Sequence, residues 1–166
     1  MENCKKYLIK KGNHKASGLN FGLSISNRFR YKASFTKSCL YNFENDDKFD
    51  INKLCGVSTD LYHHNQSARI GWRSNGAGGI EILAYWYDDG VRYHEHLLHI
   101  DLEEEVGLEI LCLDDKFYFT AKTLFDHVQH TVELNNKPCS VKYKLYPYFG
   151  GNQKAPNDIS IFLKEI

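Results

Sequence analysis

The chain has 166 residues, of which 42% are hydrophobic, 25% charged and 14% aromatic. This length fits one domain, residues 1–166, whose core is large enough to need neither disulfides nor metal. Lys plus Arg and Asp plus Glu number 21 each. Because the formal net charge is zero, the composition argues against a nucleic-acid partner, which requires a basic surface.

The first half of the chain contains four predicted strands, at residues 7–10, 27–41, 53–59 and 68–73. Eleven Tyr and ten Phe favour a pleated, half-buried backbone. Turns in this half are expected from Gly, Asn and Asp, since the chain has only three prolines.

A β-hairpin is the clearest predicted element, with strands at residues 80–87 and 91–100. The Asp88-Asp89-Gly90 segment between them supplies the positive φ that a tight hairpin turn requires. A second hairpin is predicted by the same logic, with strands at residues 108–113 and 117–121 around an Asp-Asp-Lys turn.

The last third of the chain is also predicted to be β. Residues 123–134 fit both a helix and a strand, and we favour the strand. Two further strands are predicted at residues 140–148 and 159–164. In the first of these, apolar residues alternate with Lys142 and Lys144, a pattern typical of a sheet whose lysine face is wet. Nine or more short strands imply two packed antiparallel sheets.

The five cysteines are odd in number and include no CxxC pair, so we expect reduced thiols rather than a disulfide framework or a metal finger. Cys112 lies between two leucines and is expected to be a buried apolar side chain. No apolar stretch has the length of a bilayer span, and the opening segment has no signal-peptide core. A cytoplasmic protein that does not bind membranes is therefore expected, with a virion location as the alternative.

Two parts of the sequence, residues 145–159 and residues 63–73, contain patterns that resemble the concanavalin A-like jelly rolls of lectins, glucanases and lyases. The first is residues 145–151 (LYPYFGG) with residues 155–159 (APNDI), which is similar to the aromatic-Gly-Gly turn and Ala-Pro-His-Asp-like loop before the last strand of those sandwiches. The second, residues 63–73 (HHNQSARIGWR), is similar to small uncharacterised proteins of that kind. Asn157 replaces the usual His, which argues against transferring a ligand role to the loop. The resemblance implies an antiparallel β-sandwich with a jelly-roll fold and points to carbohydrate.

The first hairpin carries the best candidate site. With the turn centred on Asp89-Gly90, apolar residues such as Ile82 and Trp86 share the face expected in the core. Tyrosine rings stack on the apolar side of a pyranose while Arg and His bind its hydroxyls, so the opposite face suits a sugar. The alternative is a solvated face whose tyrosines pair only across strands. Tyr85, Tyr87 and His94 are expected to be solvent-accessible. The residues of this opposite face are Glu81, Leu83, Tyr85, Tyr87, Arg92, His94 and His96.

The segment His94-Glu95-His96 is a possible metal site, because histidines two apart on a strand project to one side. No convincing second ligand motif accompanies this pair, and His63, His64 or His99 would join it only if the fold brought them near. We therefore predict no metal and no other cofactor.

Catalytic motifs are not evident in the sequence, which contains no GxSxG, HExxH, P-loop or GxGxxG pattern. Glu103 and Glu105 are the only closely spaced acids that suit a glycosidase, and they are interpreted as part of a charged loop. Lyases of the sandwich class combine Arg, His, Tyr and Gln on a concave sheet. Arg73, His94 and Tyr85 match those residue types, but no catalytic role is assigned to them.

The sequence thus predicts a non-catalytic, lectin-like glycan-binding module. A structural or assembly protein, such as a virion or appendage component, is the alternative, with the same aromatic face as a protein–protein interface. A polysaccharide lyase or glycosidase ranks third, because no acid/base pair is evident. The oligomeric state stays open. The candidate ligand-binding residues are Tyr85, Tyr87, Arg92, His94, His96 and Arg73.

Overall fold

The computed structural model describes residues 4–18, 22–44 and 46–166. Residues 1–3, part of the opening segment in which no signal peptide is expected, lie outside the described residues. Within the described ranges the helical elements are two short 3₁₀ turns, Lys37–Cys39 and Asp46–Phe49. No helix in this part of the chain is long and apolar enough to span a bilayer.

Strands dominate the described part of the chain. In chain order they are β1 (Lys5–Ile9), β2 (Leu23–Ser24), β3 (Arg28–Phe35), β4 (Asn52–Ser58), β5 (Ser67–Ser74), β6 (Ile80–Asp88), β7 (Val91–Ile100), β8 (Val106–Leu113), β9 (Lys116–Lys122), β10 (His127–Glu133), β11 (Lys142–Leu145) and β12 (Ile159–Glu165).

The strands form two six-stranded antiparallel sheets. The back sheet has the order β1-β12-β3-β8-β9-β10, and the front sheet has the order β2-β11-β4-β5-β6-β7. Consecutive strands often lie in different sheets, as in a jelly roll. The predicted all-β sandwich is confirmed.

The core lies between the inner faces of the two sheets and is rich in aromatic side chains. Phe35 of the back sheet packs on Trp72 of the front sheet with ring centroids 5.2 Å apart. Trp86 packs on Phe119 in the same way, at 5.9 Å. Each such ring buries on the order of 150–250 Å², so these pairs hold the sheets together. The prediction that Ile82 and Trp86 are core residues is confirmed.

Both predicted hairpins are present. The two-residue turn between β6 and β7 places Asp89 and Gly90 at φ 51° and 79°, the left-handed geometry that matches strand twist. The turn between β8 and β9 has one residue with positive φ, Asp114, at 55°. The strand interpretation of residues 123–134 is confirmed by β10.

The alternation predicted in residues 140–148 is present over β11, but the assignment of its faces is wrong. Lys142 is only 1% exposed, and its Nζ donates to Asn27 Oδ1 at 2.8 Å and to the Ser140 carbonyl at 3.2 Å. Lys144, on the same face, pairs with Glu165 of the back sheet at 2.7 Å. The lysines therefore lie towards the gap between the sheets, where these oxygens replace water.

Three of the cysteines, Cys39, Cys55 and Cys112, are buried thiols. Burial raises the pKa of the Cys112 thiol to about 12, so it stays neutral at physiological pH. The prediction that Cys112 is a buried apolar side chain is confirmed.

Candidate functional site

The outer face of the front sheet carries the residues that the sequence singled out. The register of β6 and β7 follows from the Asp89-Gly90 turn and places the predicted partners side by side on this face. These pairs are Tyr87 with Arg92, Tyr85 with His94, and Leu83 with His96.

Tyr85 is buried, although it was predicted to be exposed. It lies on the expected face but is only 3% exposed, in a small cluster with Ile51 and Leu83. Ile51 can cover it because Gly71 lies between them, and a Cβ on Gly71 would meet the Ile51 Cγ2 at 2.4 Å. Side chains from β4 and β5 also cover the ring. The expectation that Tyr85 is solvent-accessible is therefore wrong.

A groove of about 550 Å³ lies beside Tyr85 on this face. Its volume falls within the range of about 300–1,000 Å³ usual for small-molecule sites. None of its described lining residues is Asp or Glu. These residues are Lys15, Lys53, Cys55, His63, His64, Arg69, Tyr85, Tyr87, Arg92, Leu145, Tyr146, Tyr148, Gly150, Gly151 and Asn152.

Two cations from adjacent strands meet at the Tyr85 ring. The Nζ of Lys53, from β4, lies 4.9 Å from the ring centroid, and the Cζ of Arg69, from β5, lies 5.9 Å from it. Burial, reinforced by the charge of Arg69, lowers the pKa of Lys53 to about 8. Burial also lowers the pKa of Arg69. Lys53 is thus partly neutral in mildly alkaline solution, whereas a guanidinium keeps its charge.

The turn that follows Tyr148 and Phe149 forms one side of the groove. Gly150 has a φ of 71°, so the left-handed geometry expected of this turn is present. The side chain of Asn52 accepts a hydrogen bond from the Gly150 N–H. The carboxylate of Asp50 accepts from the N–H groups of Gly151 and Asn152, at 3.2 and 3.1 Å. The start of β4 therefore positions the turn.

The loop between β4 and β5 supplies two histidines to the groove. The His64 ring lies 5.0 Å from the Tyr87 ring, and His63 lies 4.2 Å from His64. The His63 carbonyl accepts from Ser67 Oγ at 2.6 Å and from Arg69 at 3.4 Å, which anchors the loop to β5. Burial, followed by the charge of Arg69, lowers the pKa of His63 to about 4. His63 is therefore neutral at pH 7.

The other predicted histidines lie farther along the same face. A register shift opposite Ile82 and Leu83 inserts an extra residue in β7. This bulge brings His96 beside His99, with ring centroids 4.5 Å apart, whereas His94 lies opposite Tyr85. The described residues contain no group of three His, Cys, Asp or Glu side chains that could hold a metal ion.

Arg73 lies outside the groove. Its Nε donates to the Glu81 carboxylate at 2.6 Å, and its Nη1 donates to the Phe49 carbonyl at 3.1 Å. It lines a separate cavity of about 150 Å³ that also includes Tyr41. Of the six candidates, the structure brings together Tyr85, Tyr87 and Arg92 in the groove.

The Ala-Pro-Asn-Asp loop has structural contacts. Asn157 Nδ2 donates to the Ser38 carbonyl at 2.9 Å, and Asp158 pairs with Lys10 at 2.9 Å. Neither residue lines the groove.

Sequence reasoning assigned no ligand-binding role to several groove residues, among them Lys53, Arg69 and Tyr148, and considered His63 only as a possible metal ligand. One signal was available for Arg69. It occurs in a strand whose alternate residues, Ala68, Ile70 and Trp72, form an apolar face, and an arginine opposite such a face belongs to the outer side of a sheet. Which cations share one ring depends on strand pairing.

No protein-family model matches this chain, and no curated protein sequence matches it. Among solved structures, an alginate lyase from Klebsiella pneumoniae is similar, with a TM-score of 0.65, 12% identity, and 92% of this chain and 61% of that chain covered. A polysaccharide lyase family 18 protein, aly-SJ02, has a TM-score of 0.55 at 6% identity, covering 100% of this chain and 88% of that one. A functionally unknown protein from Saccharomyces cerevisiae has a TM-score of 0.53 at 6% identity, with 98% and 88% covered. The chain thus spans about three fifths of the alginate lyase, and the likeness shows the jelly-roll fold.

Proposed function

We propose that this protein is a glycan-binding β-sandwich that holds its ligand in the groove of the front sheet. The observation that carries the proposal is the composition of the groove wall, where aromatic rings alternate with hydrogen-bond donors. Tyr87 and Tyr148 offer rings to the apolar side of a sugar, and Arg92 and the histidines offer donors to its hydroxyls.

The structural neighbours support a carbohydrate ligand as far as a shared fold can. Two of them are named as lyases, one for alginate and one as a polysaccharide lyase. A shared fold does not by itself determine function, so the groove residues are the basis for the proposed ligand.

Binding is favoured over hydrolysis by the described lining. A glycosidase places two carboxyl groups on either side of the scissile bond, and the described groove residues include no Asp or Glu. The candidates His94, His96 and Arg73 lie along the same face and are proposed as outer contacts for a longer chain of sugars.

A glycan array followed by calorimetry tests the proposal. Tyr87→Ala should weaken binding by about tenfold, which corresponds to about 1.4 kcal/mol. The matched control is Tyr118→Ala, because Tyr118 lies half-buried on the outer face of the back sheet and should leave affinity within about twofold.

Light scattering on the same sample distinguishes glycan binding from the alternative function, a protein–protein interface. A discrete oligomer without affinity for any glycan, dissociated by Tyr87→Ala, would replace the proposal with a protein–protein interface. Release of new sugar ends from a bound glycan would replace it with cleavage.

A further inference from the structure

Arg69 is a buried cation without a counter-ion. It is 7% exposed, and among the described residues it forms no ion pair. Among the described residues its Nε–H has no hydrogen-bond partner, and its hydrogen bond to the His63 carbonyl is long at 3.4 Å. Buried arginines are normally paired, because a charge withdrawn from water without a partner is unfavourable. The vacant donor therefore points to an acceptor from outside the chain.

Lys53 doubles the positive charge at the same point. Among the described residues its Nζ donates to the Gly150 carbonyl, at 3.2 Å, and it shares the Tyr85 ring with Arg69. Asp50 is the acid whose charge acts on Lys53, but that carboxylate accepts from the N–H groups of Gly151 and Asn152. Two neighbouring cations repel each other and together attract an anion.

The backbone leaves room for this arrangement. Gly56 lies directly opposite Arg69 in the β4–β5 pair. A Cβ on Gly56 would lie 2.9 Å from the Arg69 Cγ and 2.3 Å from the Ala68 carbonyl oxygen. A glycine is thus required for β4 to pass this close to the arginine.

We propose that Arg69 and Lys53 form an oxyanion subsite on the floor of the groove, which binds the carboxylate or sulfate of an acidic sugar. The proposal rests on glycan binding in the groove and narrows the ligand to an anionic class. A guanidinium presents its N–H groups in a fork that matches a planar oxyanion, while the ammonium adds a point charge. A neutral sugar would leave the Arg69 Nε–H with a weaker acceptor.

The test compares an acidic oligosaccharide with its neutral ester and with a sulfated oligosaccharide. Three ligands are titrated into the intact protein: oligogalacturonate, its methyl ester, and an oligosaccharide of neutral sugars that carries sulfate groups. The pKa of Lys53 is followed by NMR of its side chain. A bound anion should raise that pKa by about one unit or more, since an opposite charge within a few ångströms favours the protonated amine. The methyl ester should leave the pKa unchanged.

Variants test the same subsite by calorimetry. Arg69→Met and Lys53→Met should each lower the affinity for the acidic ligand by about tenfold or more, the usual effect of a lost charged hydrogen bond. Both should lower the affinity for the methyl ester by a clearly smaller factor, because the neutral ester is a weaker acceptor. The control is Arg30→Met, since Arg30 lies on the back sheet and pairs with Glu109.

The outcomes are distinct. Preference for the uronate identifies a carboxylate, and preference for the sulfated sugar identifies a sulfate. Equal affinity for acid and ester, with an unchanged pKa of Lys53, overturns the subsite and leaves glycan binding intact. If the array shows no glycan bound and none of the three ligands moves the pKa, the proposed function and the subsite both fail. If Arg69→Met does not fold, the affinity of Lys53→Met and the titration of the natural protein still test the oxyanion subsite.

Discussion

The outer faces of both sheets carry ion pairs, including Arg73 with Glu81 on the front sheet, but two cations of the front sheet contrast with these pairs. On the back sheet, Arg30 pairs with Glu109 at 2.7 Å and Lys116 pairs with Glu133 at 3.1 Å, in pairs that are partly exposed. On the front sheet, Lys53 and Arg69 are more deeply buried, and neither forms an ion pair with a described residue. Exposed pairs contribute little to stability, whereas buried single charges lower it. The unpaired cations are the reason for which we propose the front sheet as the binding face.

The largest expected effect concerns the ring beneath those cations. Tyr85→Ala should lower the free energy of unfolding by about 2–5 kcal/mol, as truncation of a buried aromatic does. Tyr118→Ala on the back sheet should lower it by less than about 1 kcal/mol, because that ring is half-exposed. Urea denaturation measures both, and equal effects would contradict the burial of Tyr85.

Removal of the buried charge should have the opposite sign. Arg69→Met is expected to raise the free energy of unfolding by about 1–4 kcal/mol, since an apolar side chain of similar length relieves the desolvation of an uncompensated cation. Arg30→Met should change it by no more than about 0.5 kcal/mol. Thermal and urea unfolding at low salt test this contrast, and a marked loss of stability in Arg69→Met would show that the guanidinium is satisfied in the folded protein.

The pH dependence of stability should reveal the lowered pKa of Lys53. Its pKa is about 8 when folded and near 10.4 when unfolded, so between these values the unfolded chain binds the additional proton. Stability should therefore rise with pH in this window and lose that gain as pH falls through 8. Compared with Lys53→Met, the natural protein should gain on the order of 1 kcal/mol between pH 8 and pH 10. Parallel curves for the two proteins would show that Lys53 titrates normally.

The smallest effect is expected for an ion pair of the back sheet. Glu133→Gln removes the partner of Lys116 and should change the free energy of unfolding by at most about 0.5 kcal/mol, because the glutamate is 82% exposed. The change should disappear in high salt. An effect above about 1 kcal/mol would weaken the contrast between the two faces.

Local chemistry explains why much of the fold was predictable. The hairpin of β6 and β7 followed from one Asp-Gly turn, which fixes the register and hence the face of Trp86 and Tyr87. Period-2 alternation identified the strands on which these residues lie. The same alternation assigned Lys142 to the wrong face. A lysine can lie on the inner face of a sheet where buried oxygen atoms accept hydrogen bonds from its ammonium group, and hydrophobicity does not predict such acceptors.

The sequence by itself determined the fold class, the two hairpins and three of the residues that line the groove, Tyr85, Tyr87 and Arg92, because turn chemistry and alternation act over a few residues. Only the tertiary structure decided that Tyr85 is buried and that Arg73 is paired with Glu81. It also decided that Lys53 and Arg69 meet on one ring, next to a turn nearly a hundred residues further along the chain. Those contacts depend on which strands become neighbours in the sheet, and that order is set by the burial of the whole core rather than by any single segment.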